Sequence, residues 1–265
     1  MKTKETLKTG KMFSTAALIS ALFVTGFAAE STINNRIVNG TNAPEGKYPF
    51  QVSVQYYGSH TCAGTILTPE YVLTAAHCVI WDPAPEVFNV SAGSNYLQGT
   101  IHQVTEIMFH EAFNFPYALN DIAVLRVSPA FDFNNELLGP VSLPEQYQQS
   151  FLQTEATVIG WGLNATGGSL LPVLQEVGIF ILSDEECYDI YNTYNGNYNP
   201  NNVCAGVREG GKGECNGDSG GPLLVNGQQV GIVSWSKKPC TEAPYPGVYT
   251  QVSSFIDWIK SKVPV

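Results

Sequence analysis

Three residues in the 265-residue chain combine into one kind of chemistry: His77 in "LTAAHC", Asp121 in "NDIAVLRV" and Ser219 in "GDSGGP". A serine hydroxyl is a poor nucleophile until a base removes its proton. Histidine is the usual base near neutral pH, and a carboxylate can fix its tautomer and steady the imidazolium. The order His, Asp, Ser along the chain is one of the known orders of such a triad. Taken singly, each residue has a plainer reading: His77 as a packed core histidine, Asp121 as a turn before a strand, Ser219 as a turn serine. It is their combination that points to acyl transfer.

Positioning them falls to short strands. "FQVSVQYY", "AGTILT", "YVLTAAH" and "HQVTEIMF" are rich in β-branched and aromatic residues and are bounded by Gly, Pro, Asn and Ser. A second set follows: "ATVIGWG", "EVGIFIL", "GPLLV", "QQVGIVSW" and "GVYTQV". Strands at regular spacing with few helices predict an all-β sandwich or barrel. The stretch from Ser128 to Pro144 has a connector's composition, which sets a boundary between two halves near residue 140. The terminal "SSFIDWIKSKV" places Phe255, Ile256 and Ile259 on one face and predicts a closing helix with serines available to cap it.

The first 29 residues form a separate region. Lys2, Lys4, Lys8 and Lys11 make a basic start, a mostly apolar run spans Phe13 to Phe27, and small residues follow. This is the pattern of a secretory signal cleaved near Ala28 or Ala29, with Met12 as an alternative start. The alternative is an uncleaved anchor, but the run is short and rich in Ser and Thr for a bilayer span. All six cysteines, Cys62, Cys78, Cys187, Cys204, Cys215 and Cys240, lie beyond it. In an oxidising compartment they predict three disulfides, with 15 pairings open. No CxxC pair suggests zinc.

Beyond Arg36 the chain carries eight Lys and Arg against 21 Asp and Glu, a formal charge of −13. That disfavours nucleic acid and anionic membranes as partners. Sequons at Asn39, Asn89 and Asn164 hint at surface positions. Glu106 and Glu111 alone make a poor calcium site, because calcium takes six or more oxygens. No metal or cofactor is expected.

The motifs "RIVNG", "TAAHC", "NDIAVL", "GWG" (Gly160–Gly162), "GDSGGP" and "SWS" (Ser234–Ser236) stand in the order and near the spacing of the trypsin/chymotrypsin-type serine proteases. The chain resembles that family from Ile37 to its C-terminus. The resemblance implies two six-stranded antiparallel β-barrels with the active site in the cleft between them. It implies His77 and Asp121 from the first barrel and Ser219 from the second. It selects the pairs Cys62–Cys78, Cys187–Cys204 and Cys215–Cys240, whose closed loops suggest about 3 kcal/mol each in the chain-entropy picture. It implies an oxyanion hole from the Gly217 and Ser219 N–H groups, where losing one donor costs about 3 kcal/mol.

The same resemblance implies a zymogen. Residues 30–36 would be a short propeptide, residues 37–265 the catalytic domain, and cleavage would fall between Arg36 and Ile37. The new Ile37 ammonium would then pair with Asp218, because a buried carboxylate without a partner is costly. Expected partners are protein or peptide substrates and protein protease inhibitors, met by a secreted, extracellular monomer without stable membrane association.

The specificity pocket departs from the family pattern. Trypsins carry an Asp six residues before the nucleophile, and here that residue is Gly213. Glu214 follows, at a position that can look into the pocket, with Ser234, Trp235, Ser236 and Gly247 as walls. A carboxylate in a partly dry pocket asks for a cation. The reading favours Lys or Arg before the scissile bond. If Glu214 instead faces elsewhere, the Gly213 floor admits broad or apolar side chains. Ser234–Ser236 would hold substrate backbone as an added strand.

A non-catalytic, protease-like binding protein would lose a triad member, and none is lost. An esterase elbow fits "GDSGG" as a string, but neither the triad order nor the all-β pattern fits that fold. His60, His102 and His110 receive no role.

Overall fold

The structure, a computed structural model of the chain, describes residues 37–149, 152–192, 194 and 197–264. The stretches expected to be a signal (1–29) and a propeptide (30–36, with Arg36) lie outside the described residues.

Six strands make the first barrel: β2 (Gln51–Tyr56), β3 (Ser59–Thr68), β4 (Tyr71–Thr74), β5 (Phe88–Ala92), β6 (Thr100–Phe109) and β7 (Ala123–Ser128). They follow β1 (Thr41–Asn42) in the chain, pair antiparallel, and close in the order β2-β3-β4-β7-β6-β5. The second barrel uses β8 (Glu155–Gly160), β9 (Gln175–Ile181), β10 (Asn202–Gly206), β11 (Pro222–Val225), β12 (Gln228–Trp235) and β13 (Gly247–Gln251). Its order is β9-β10-β13-β12-β11-β8, and β8 pairs again with β9 to complete the ring. β1 adds outside it, with Thr41 opposite Glu176. The expected two-barrel, all-β architecture is therefore the observed one.

Alternation drives these strands. In β9, Gln175, Val177, Ile179 and Ile181 point inward and are buried, while Gly178 and Phe180 face solvent. Val158, Ile179, Leu223, Val225, Val233 and Tyr249 fill the second barrel, together with Ile37, which has no exposed surface. The first barrel's core continues across to Trp161, Leu224 and Ile232 and on to Ile256 and Ile259 of the closing helix. Tertiary burial of that apolar face, rather than propensity, holds so short a helix.

Several boundaries differ from the sequence expectation. The strand expected over "YVLTAAH" stops at Thr74, and His77 sits in a short 3-10 turn, Ala76–Cys78. Two helices are present among the described residues. The helix α1 (Asp184–Asn192) was not anticipated, and α2 (Ile256–Lys262) is the expected closing helix. No serine caps α2: Phe255 holds the cap position without a side-chain hydrogen bond, and Ser253 instead accepts from Gln251. A preceding 3-10 turn, Val252–Ser254, takes up the serines. The three disulfides are Cys62–Cys78, Cys187–Cys204 and Cys215–Cys240. Among the sequon asparagines, Asn39 is exposed, while Asn89 and Asn164 are partly buried.

Candidate active site

The turn carrying His77 is pinned from both sides. Ala75 and Ala76 are fully buried, and Cys78 is bonded to Cys62 of β3. His77 meets Asp121 twice. Its Nδ1 lies 2.7 Å from Asp121 Oδ2, and its backbone N–H donates to Oδ1 at 2.9 Å. Asp121, just ahead of β7, has no exposed surface. The Ser234 hydroxyl donates to its Oδ2 at 2.6 Å, and Thr250 donates to its backbone carbonyl at 2.8 Å. Two residues of the second barrel thus hold an aspartate of the first. Burial works to lower the His77 pKa, but the charge and hydrogen bond of Asp121 outweigh it and raise the value. With Nδ1 facing Asp121, Nε2 is the other ring nitrogen, and its contact is with Cys78 Sγ at 3.7 Å.

Ser219 is half-buried on the turn leading into β11. Its carbonyl accepts from the Ala63 N–H at 2.7 Å, one residue from the Cys62–Cys78 disulfide. Gly220 packs so closely on Thr74, Ala63 and Ala75 that a side chain would collide with them. The serine is thereby held beside the chain that leads into His77. The N–H groups of Asp218, Gly220 and Gly221 donate to backbone carbonyls. Among the described residues those of Gly217 and Ser219 do not, and Gly217 has φ +96°, open to glycine. Two donors in one turn, free of backbone partners, suit a developing oxyanion.

Asp218 points away from this surface and is fully buried. It accepts from Gly162 N–H at 2.8 Å and Cys215 N–H at 2.9 Å. This accounts for the "GWG" glycines, because a Cβ at Gly160 or Gly162 would fall on the Asp218 carboxylate. Burial pushes its pKa up to about 7, and the nearby Glu214 charge adds to the rise. Among the described residues no cation forms an ion pair with it. Asn39, two residues past Ile37, donates to Gly211 and ties the N-terminal segment to the loop before the pocket.

Glu214 is turned inward, with 4 % of its surface exposed. Tyr249 donates to its Oε2 at 2.8 Å. A Cβ at Gly247 would lie 2.5 Å from the same oxygen, so that glycine makes room for the carboxylate. Gly213, with φ +145°, backs onto the Thr241 methyl. Gly213, Glu214 and Gly247 therefore share one site. Ser234 is buried and Trp235 and Ser236 are partly exposed where β12 ends.

A cleft of 300 Å³ on the His77 side is lined by His77, Asp121, Phe115, Tyr117, Ser234 and Trp235 among others, and Ser219 and Glu214 are not part of its lining. Cys62, His77 and Cys78 are close enough to suggest a metal site, but the two sulfurs are bonded to each other and offer no thiolate.

Of the unassigned histidines, His60 bears on the site. Its Nε2 donates to the Gly217 carbonyl at 2.9 Å, and its Nδ1 accepts from the Ser53 hydroxyl at 2.8 Å. Burial lowers its pKa, which favours this neutral form. His102 meets the Pro129 carbonyl, and His110 packs edge-on against Phe255 and tilted against Trp258. Glu111 is engaged by Lys262 and Trp258.

The chain matches the family model described as Trypsin over residues 37–259. It belongs to the trypsin family of serine proteases. It is 37 % identical over 240 residues to Trypsin-1 of Astacus astacus, covering 85 % of this chain and 99 % of that one. To Trypsin Blo t 3 of Blomia tropicalis it is 38 % identical over 236 residues, covering 86 % and 87 %. To the vitellin-degrading protease of Bombyx mori it is 35 % identical over 255 residues, covering 94 % and 95 %. The trypsin-family protein is a serine endopeptidase, and the geometry above is that enzyme's candidate machinery.

Proposed function

We propose that this trypsin-family protein is a secreted endopeptidase that cleaves after Lys or Arg and is made as a zymogen. Ser219 Oγ attacks the scissile carbonyl carbon as His77 Nε2 takes its proton. The carbonyl electron pair moves onto oxygen, where the Gly217 and Ser219 N–H groups receive it. The intermediate collapses, the amine leaves with the proton from His77, and the acyl group stays on Ser219. Water then attacks the ester with His77 again as base, and the acid is released. Asp121 holds the imidazole tautomer and steadies its charge throughout.

The observation that carries the P1 preference is the inward Glu214, buried against Tyr249 and Gly247. A carboxylate so placed favours a cationic side chain over an apolar one. Activation follows from Asp218. Residues 1–29 are read as the signal and 30–36 as the propeptide. Cleavage at Arg36 would free the Ile37 ammonium, and Ile37 already belongs to the second barrel's core. A Lys/Arg preference also lets the enzyme activate itself at Arg36.

The test is a peptide library varied at P1, read with protein cut at Arg36 and with Ser219→Ala as blank. Cleavage after Lys and Arg is expected, and Glu214→Gln should cut the Arg-over-Leu preference by about a hundredfold, the scale of an unpaired charge in a site. Cleavage after Phe, Leu or a broad set, indifferent to Glu214→Gln, would refute the basic preference.

A further inference from the structure

Two lysines follow Ser236, and they behave differently. Lys237 is bound away from the pocket: its amine pairs with Glu242 at 3.0 Å and lies 3.8 Å over the Tyr245 ring. Lys238 ion-pairs with no carboxylate among the described residues. Its amine instead lies 3.3 Å from Cys240 Sγ. Cys240 is bonded to Cys215, the residue directly after Glu214. The ammonium thus rests on the disulfide beside the pocket that holds Glu214.

We propose that Lys238 is a specificity-determining residue, a cation resting on the Cys215–Cys240 disulfide beside the pocket, which offsets Glu214 and limits how strongly the enzyme prefers basic P1 side chains. A Lys or Arg entering to meet Glu214 must approach this second ammonium. An apolar side chain pays no such penalty. Glu214 is the first carboxylate whose charge acts on the Lys238 amine and Asp218 the second. Although much of Lys238 is exposed, desolvation at the wall lowers its pKa, and the two carboxylates work against that. The inference rests on Glu214 marking the base of the P1 pocket, and its test separates the two ideas.

Protein cut at Arg36 would be assayed on matched peptide anilides with Arg or Leu at P1, and by inhibition with benzamidinium. Lys238→Gln is expected to raise the Arg-over-Leu ratio of kcat/KM about tenfold, and to tighten benzamidinium similarly, as removal of a nearby like charge does. Both gains should shrink in high salt. Lys238→Arg should keep the wild-type ratio within about twofold, since it keeps the charge. A Lys238→Gln ratio that is unchanged or lower overturns the proposal. Failure of the pocket-anion reading appears separately, as a ratio indifferent to Glu214→Gln. The Lys238 arm is decided by its own variants in either case.

Discussion

Asp218 offers a stability measurement that reads the activation device without any assay of catalysis. In the uncut chain its buried carboxyl titrates near 7, against 3.8 for an ordinary aspartate. A raised folded-state value means the native protein binds this proton more tightly than the unfolded chain does. The stabilisation is full below about pH 3.8 and is lost as pH rises toward and through about 7. The gap corresponds to about 4 kcal/mol at most, taking 1.36 kcal/mol for each pH unit. Cleavage at Arg36 should abolish the loss, because the Ile37 ammonium then favours the ionised carboxylate. The comparison uses Ser219→Ala protein, to prevent self-digestion, with and without Asp218→Asn, uncut and cut at Arg36. Urea unfolding from pH 4 to 8 gives four curves. His77 and other groups titrate in all four and cancel in the Asp-minus-Asn difference. In uncut protein that difference should fall by about 2–4 kcal/mol across the window, and in cut protein it should be flat or rise. A flat difference in the uncut protein would show that Asp218 is not the buried acid. An equal fall after cutting would show that the new ammonium does not reach it.

Two further outcomes follow from the same site. Tyr249→Phe removes the donor to Glu214, while burial and the Glu214 charge keep that phenol protonated across the working range. It should destabilise Ser219→Ala protein by about 2 kcal/mol, and by less than half of that in a Glu214→Gln background. A full additive effect in thermal or urea unfolding would deny the coupling. His60→Ala loosens the Gly217 carbonyl rather than any substrate contact, so kcat should fall about tenfold with KM little changed. A rise in KM alone, measured on an Arg anilide, would mean that His60 shapes the binding surface instead.

What the sequence disclosed and what it hid divide along sequence distance. The "GWG" and "GDSGGP" glycines are legible because close packing leaves no room for a side chain: Gly160 and Gly162 face the Asp218 carboxylate, and Gly220 faces Thr74, Ala63 and Ala75. The helix α1 also had a local signature: Ser183 stands three residues before Glu186, whose N–H its hydroxyl caps at 3.2 Å, and Cys187 and Tyr191 are the buried pair one turn apart. Its nine residues are too few for that period to stand out among strands. The pocket is a different case. Glu214 faces inward because Tyr249 of β13 supplies its hydrogen bond and Gly247 leaves space, and both depend on how β13 registers against β10 and β12. His60 reaches Gly217 across 157 residues and from one barrel to the other. No window of sequence contains both partners of such a contact. A carboxylate's address in the chain can therefore suggest a pocket, but its direction is fixed only by the side chains that the barrels bring to it. For the same reason specificity in this fold can shift without touching the triad: Lys238, on an exposed loop, changes the field at Glu214 while His77, Asp121 and Ser219 keep every contact they have.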